Sequence, residues 1–219
     1  MQVLYEDNHL LVVEKPPNIP VQPDSSGDRD MQTQLKGYIK EKYGKPGNVY
    51  LGIVHRLDRP VGGVMVFART SKAAARLGAQ FLSGQAKKKY LAVVHGAPLQ
   101  QDVLQDYLIK GRHNFTRTGT ADEKGAKLAR LSYTLLSRRQ GLSLMEIMLE
   151  TGRSHQIRVQ FASRAMPLWG DVRYGDQKER GGIALFAREL QLQHPTTGEC
   201  LIFGAEVPGK FPWELFCTD

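Results

Sequence analysis

Strand-like and helix-like stretches follow one another in this chain without a repeating order, and that irregularity limits the folds open to it. Residues 2–5 and 9–14 read as two short strands split by a turn at Asp7-Asn8 and stopped at Lys15-Pro16-Pro17. PNIPVQPDSSGD is then an extended loop. DMQTQLKGYIKEKYG places Met31, Leu35, Tyr38 and Ile39 at helical spacing, with Asp30 as N-cap and Gly44 just past the end. VYLGIVHRL is strand-like, and GGVMVFART alternates, with Val64, Val66 and Ala68 on one face. Ser71 caps an alanine-rich helix that stops at Gly84, and YLAVVHG is a further strand. Residues 111–127, polar and glycine-rich, read as a hairpin or mobile loop. LARLSYTLLSRR and LSLMEIMLE are antiparallel neighbours joined at Gln140-Gly141, and SHQIRVQFASRA spaces Ile157 and Phe161 as a short helix would. ALFARELQLQHP and ECLIFGAEV return to strand. Roughly eight or more strands and about three helices that do not alternate disfavour βαβ winding. They favour an α+β domain with a mixed, mainly antiparallel sheet flanked by helices and loops. No repeat or linker divides the chain, so residues 1–219 are expected to form one domain.

The formal net charge is +8, an excess that suits a polyanionic partner. It is carried on several separate clusters: Lys87–Lys89, Arg112 with Arg117, Arg138-Arg139, and Arg153, Arg158 and Arg164. Basic groups set on folded segments suit a groove better than a disordered arm. Two cysteines, Cys200 and Cys217, cannot build a disulfide framework or a zinc site and are expected as free thiols. The first residues carry acids and Asn8 among their apolar positions, unlike a signal peptide. No run of about eighteen apolar residues is present, so no membrane partner is expected, and a cytoplasmic location follows.

The chemistry-bearing stretch is HRLD at 55–58, between Ile53-Val54 and Pro60. Three polar side chains in four residues are costly to bury unless they pair or react. The protein-kinase catalytic loop is excluded: Leu57 intervenes, Gly63 stands where its asparagine would, and no Asp-Phe-Gly or phosphate-covering glycine loop exists. A Walker-A loop and a serine nucleophile elbow are also absent. Asp58 ends a strand, and Arg153 to Arg158 open a helix after another strand. A carboxylate facing arginines from a distant segment suits an ionised nucleophile and a structural ion pair equally well.

GIVHRLDRPVGGVMVFART, KKKYLAVV, ETGRSHQIRVQFASRAMPLWGDVRYG and LFARELQLQHPTTGE resemble, in order and spacing, the RluA family of pseudouridine synthases. VLYEDNHLLVVEKPPNIPVQP resembles the start of that family's catalytic domain, so the likeness covers nearly the whole chain. The resemblance implies a pseudouridine-synthase-like fold and the isomerisation of uridine in RNA to pseudouridine, with no cofactor and no metal. An isomerase needs no activated water, so one essential aspartate suffices where glycosidases commonly use two carboxylates. By position, Asp58 matches the family's essential aspartate, acting as nucleophile or base. Tyr90 matches the tyrosine that packs on the target base, and Arg158 the basic residue that pairs with the aspartate. Arg56 matches an arginine that enters the RNA stack when the uridine is flipped out, offsetting part of the unstacking cost. His55 is a structural histidine or a contact of the flipped site. Arg153 and His155 contact RNA phosphate or brace their loop, and Leu57 is packing.

The chain departs from the family in Val61-Gly62-Gly63 after HRLD, in Gln160 where a histidine is common, and in Phe186-Ala187. These bear on loop contacts and substrate choice. The resemblance to the catalytic segment begins at the first residues, so the S4-type domain many relatives carry is not expected here. RNA is therefore expected to be held by the catalytic domain itself, through Lys87, Lys88, Lys89, Arg112 and Arg117. The expected partner is ribosomal or transfer RNA, and the expected state a monomer. The competing readings are an RNA-binding protein on the same fold with weak or lost activity, and a nucleoside hydrolase, which the missing second carboxylate disfavours.

Overall fold

The computed structural model describes residues 1–112, 115–175, 179 and 181–216, which fall into two compact units. Unit one comprises Met1–Ala86 with Glu189–Ala205, and unit two Lys87–Arg188 with Glu206–Asp219. The fold is α+β, as expected.

In unit one, β1 (Gln2–Glu6) pairs antiparallel with β2 (Leu10–Lys15), and β2 with β4 (Gly62–Ala68). Asp7 makes the β1–β2 turn: its Oδ1 accepts the backbone N–H groups of His9 and Leu10 at 2.7 and 2.6 Å. Every residue of β4 is buried, so the one-sided face read from Val64, Val66 and Ala68 is in fact covered on both sides. VYLGIVHRL yields only a two-residue strand, β3 (Gly52–Ile53), on β4, and the chain then leaves the ladder for HRLD. Helix α1 (Met31–Lys42) starts where expected, with the Asp30 side chain accepting from Thr33 N–H. Its Met31, Leu35 and Ile39 meet Leu11, Val13, Met65 and Phe67 in the core. Helix α2 (Ser71–Ser83) is capped by Thr70 and not Ser71: the Thr70 hydroxyl takes the Ala73 N–H at 3.1 Å. The C-terminal part of β10 (Leu185–Gln193) and β11 (Cys200–Gly204) form a hairpin. Gln80 of α2 bonds Gln193 through both its amide groups, and His194 Nε2 lies 2.8 Å from Asp7.

In unit two the strand order is β5 (Lys87–His95), β9 (Leu142–Leu149), β8 (Lys127–Arg139), β6 (Gln101–Lys110) and β7 (Thr116–Gly119), each pair antiparallel. β6 went unread in the sequence. β7 makes the segment 111–127 a hairpin in part; His113 and Asn114 lie outside the described residues. β8 and β9 are joined at Gln140-Gly141 as expected, and both residues take positive φ (51° and 75°), the backbone a tight hairpin demands. Helix α3 (Gln156–Ala162) packs Phe161 on Tyr133 of β8, with ring centroids 5.4 Å apart, and Val159 on Leu108 and Ala129.

Candidate active site

Each unit carries part of the residue set singled out above. In unit one, HRLD lies between β3 and β4 on an anchored turn. Val61 N–H donates to Asp58 O at 3.0 Å, closing residues 58–61. Beneath it lies Lys15, the last residue of β2 and fully buried. Its Nζ donates to Pro16 O, Arg59 O and Val61 O at 3.0, 2.9 and 2.8 Å. Three carbonyls match the three donors of one ammonium. Burial pushes Lys15 down to about 7; the neighbouring Asp58 charge pulls it up and Arg59 down again. Arg59 fastens the 16–28 loop to the same turn: Nε donates to Asn18 O at 3.1 Å, and the guanidinium pairs with Asp24 and Asp28.

The other HRLD residues divide by role. Leu57 is buried packing, as expected. His55 stacks on Phe81 of α2, centroids 4.5 Å apart, and its Nε2 accepts the Val66 N–H at 3.1 Å, so Nε2 is unprotonated. That is a structural setting for the ring. Arg56 is exposed and has no side-chain partner among the described residues. Asp58 is half-buried.

In unit two, Tyr90 is buried on β5 opposite Ile147. Arg158, on α3, is buried too. It forks onto Asp171, with Nε to Oδ2 at 2.8 Å and Nη2 to Oδ1 at 2.7 Å, and its guanidinium lies 5.1 Å above the Tyr174 ring. Asp171 also accepts the N–H groups of Arg173 and Tyr174. Gly170, at φ 71°, precedes it because any Cβ there would collide with Gly182 O. His155 takes a left-handed φ of 54° at the start of α3, with Nδ1 2.7 Å from the Tyr174 hydroxyl. It braces this segment. That hydroxyl also accepts the Thr116 N–H at 2.9 Å, and burial pushes its pKa up. Gln160, at the position where histidine is common, donates to Asp106 Oδ2 at 2.7 Å, beside the Arg164–Asp106 pair.

The basic residues differ in their surroundings. Lys89 lies 3.6 Å from Glu146, and Arg117 forks onto Glu123. Lys87 and Arg112 are exposed. Arg153 Nε donates to Leu128 O at 2.9 Å, and Lys88 is half-buried beside it. Cys200 is free and exposed, while Cys217 lies outside the described residues. Among the described residues no group of His, Cys, Asp and Glu is arranged to hold a metal ion, and no helix is long and apolar enough to cross a membrane.

Lys15, Asp171, Tyr174 and Asp106 were not singled out in the sequence. LVVEKPP was read only as a strand end, although a lysine finishing a strand that opens with four apolar residues was a signal. GDVRYG lies inside a stretch quoted for its resemblance, but nothing local names the partner of its aspartate.

Residues 9–163 match the family described as RNA pseudouridylate synthase. Ribosomal large subunit pseudouridine synthase D of Zymomonas mobilis subsp. mobilis is 33% identical over 220 residues, covering 95% of this chain and 69% of that protein. tRNA pseudouridine synthase C of Pectobacterium carotovorum subsp. carotovorum is 32% identical over 238 residues, and the chain spans 61% of its length. The structure of human RNA pseudouridylate synthase domain containing 4 superposes with a TM-score of 0.79 at 24% identity, covering 94% of this chain and 88% of that one. This last likeness is one of fold.

Proposed function

Because the chain belongs to the RNA pseudouridylate synthase family, a family of isomerases, we propose that it converts uridine to pseudouridine in structured ribosomal or transfer RNA through Asp58. The observation that carries this reading is the HRLD turn. A carboxylate sits two residues from an exposed guanidinium that has no side-chain partner among the described residues, on a loop pinned from below by a buried ammonium. Such a turn holds a reacting group in place while leaving its neighbour able to move into RNA. The relatives named for large-subunit and transfer RNA set the substrate class proposed here.

In this reading both units act as one catalytic domain, since the motif residues are shared between them. Arg56 enters the RNA stack as the uridine turns out, and Tyr90 packs on the extruded base. Asp58 acts on the nucleoside as nucleophile or base; the N1–C1′ bond breaks, the uracil rotates, and C5 bonds to C1′. The C5 hydrogen leaves to solvent and N1 gains a proton, so atoms balance with no water consumed and no redox partner required. Arg158, by its place in the family motif, has the role of the basic residue that pairs with the aspartate. Lys87, Lys88, Lys89, Arg112, Arg117 and Arg153 contribute phosphate contacts, and His55 and His155 hold their loops. The chain works as a cytoplasmic monomer.

Total RNA labelled with tritium at uracil C5 tests this reading. Tritium release without free uracil is expected. Binding without release would return the chain to a plain RNA-binding role, and free uracil would make it a hydrolase; either result overturns the proposal.

A further inference from the structure

We propose that Lys88 and Arg153 together form a subsite for one RNA phosphodiester, next to the nucleotide whose base packs on Tyr90. This rests on the reading of the chain as an RNA pseudouridine synthase.

Three observations carry it. Lys88 and Tyr90 stand two residues apart on β5, so their side chains share a face about 7 Å apart along the strand. A base over Tyr90 therefore has its backbone within reach of Lys88. The Lys88 ammonium also leans on the turn that carries Arg153: a Cβ added at Gly152 would come within 3.1 Å of Lys88 Nζ. Arg153 is itself fixed, its Nε on Leu128 O at 2.9 Å and its backbone N–H on Gln156 Oε1 at 3.0 Å. The rest of the fork remains on an exposed residue.

Neither cation has a carboxylate partner among the described residues. Nearby basic residues do: Lys89 with Glu146 at 3.6 Å, Arg130 with Glu150 at 3.4 Å, and Arg117 with Glu123. Lys88 is half-buried with no hydrogen-bond or ion-pair partner among the described residues, an unusual state for a lysine. Burial lowers its pKa, and Arg153 lowers it further. Two like charges kept together and partly dry raise each other's energy until an anion lies between them. A phosphodiester fits: one negative charge, and two non-bridging oxygens for one point-charge donor and one planar fork.

The test uses fluorescein-labelled decauridylate, its affinity measured by anisotropy over a salt series. Lys88→Gln and Arg153→Gln should each weaken binding about fivefold and flatten the log–log salt slope by about 0.7, the single-strand value for one phosphate contact. The double variant should lose less than the product of the two, because both cations hold the same phosphate. Lys88→Arg should keep the slope, and Lys40→Gln, an exposed α1 control, should match wild type. A slope unchanged in both single variants overturns the subsite, as does a double variant whose slope falls twice as far, which would mean two separate contacts. Arg153→Gln alters an exposed side chain and keeps the test open should Lys88→Gln fail to fold. With C5-tritiated RNA the single variants should raise KM and leave kcat within about twofold of wild type. Absence of tritium release from the wild type would sink the isomerase reading, while the slope test would still judge the subsite.

Discussion

Replacing Lys15 by Met separates what the buried ammonium does for stability from what it does for the Asp58 turn. Burial lowers Lys15 from its ordinary value to about 7. That drop corresponds to a cost of about 5 kcal/mol for the charged form. Hydrogen bonds from a charged donor return about 1.5–3 kcal/mol each, and Lys15 makes three, so the two sides come close to cancelling. Met removes both sides and adds about 2 kcal/mol of apolar burial. It leaves Val61 O, whose bond to Lys15 is fully buried, without a donor at about 1–3 kcal/mol, whereas Pro16 O and Arg59 O lie nearer water. The net change lies within about 1 kcal/mol of zero, a shift in Tm of no more than about 4 °C for a chain of this size, read by thermal unfolding. The turn suffers more than the fold. Losing about 1.5–3 kcal/mol of preference for one loop conformation lowers its population about ten- to hundredfold. Tritium release, assayed well below the variant's Tm with saturating RNA, should fall by that factor in kcat, with RNA affinity unchanged. A variant that turns over within about twofold of wild type would show that the ammonium does not hold Asp58 in place.

Asp171→Asn takes the balancing charge from the buried Arg158 fork, and thermal unfolding should register a loss of up to about 3 kcal/mol. Tritium release should fall with it, and a variant as stable and active as wild type would deny Asp171 its positioning role. Arg56→Ala should bind RNA through the remaining phosphate contacts yet lose turnover; lost binding with intact turnover at saturating RNA would remove its role in base extrusion. Burial pushes Asp7 up, but the N–H groups of His9 and Leu10, with His194 and Tyr5, outweigh it and hold the carboxyl below its ordinary range. A lowered carboxyl pKa stabilises the fold above the unfolded value of about 4 and stops doing so as pH falls through the folded value. Urea midpoints should therefore fall less steeply below about pH 4 in Asp7→Asn than in wild type; parallel curves would contradict this.

Much of the fold was legible because local signals and tertiary packing agree. Asp30 and Gly44 bracket α1, Gly84 stops α2, and Gln140-Gly141 marks the β8–β9 hairpin. Where two residues compete for one role, the sequence leaves the choice open: Thr70 and Ser71 both carry a hydroxyl, and only the geometry shows Thr70 taking the Ala73 N–H. β6 escaped because its buried residues, Leu104 and Leu108, are four apart, a spacing that fits a helix turn and a strand face alike. VYLGIVHRL promised a longer strand because nothing local tells Val54 to leave the ladder; the turn held by Lys15 does that. Within the candidate site, the HRLD and GRSHQIR residues stood out through their resemblance to the family; type and spacing alone left a nucleophile and a structural ion pair both open. Lys15 and Asp171 did not stand out, because a buried ion is recognised by the carbonyls or the guanidinium it meets, and those lie elsewhere in the sequence.

The central claim is that the Asp58 carboxylate carries out the reaction. Single-turnover tritium release from C5-labelled RNA, comparing wild type with Asp58→Asn at matched RNA occupancy and equal Tm, tests it most directly. The account predicts release by the wild type and none above background by the variant. Equal release by both would contradict it.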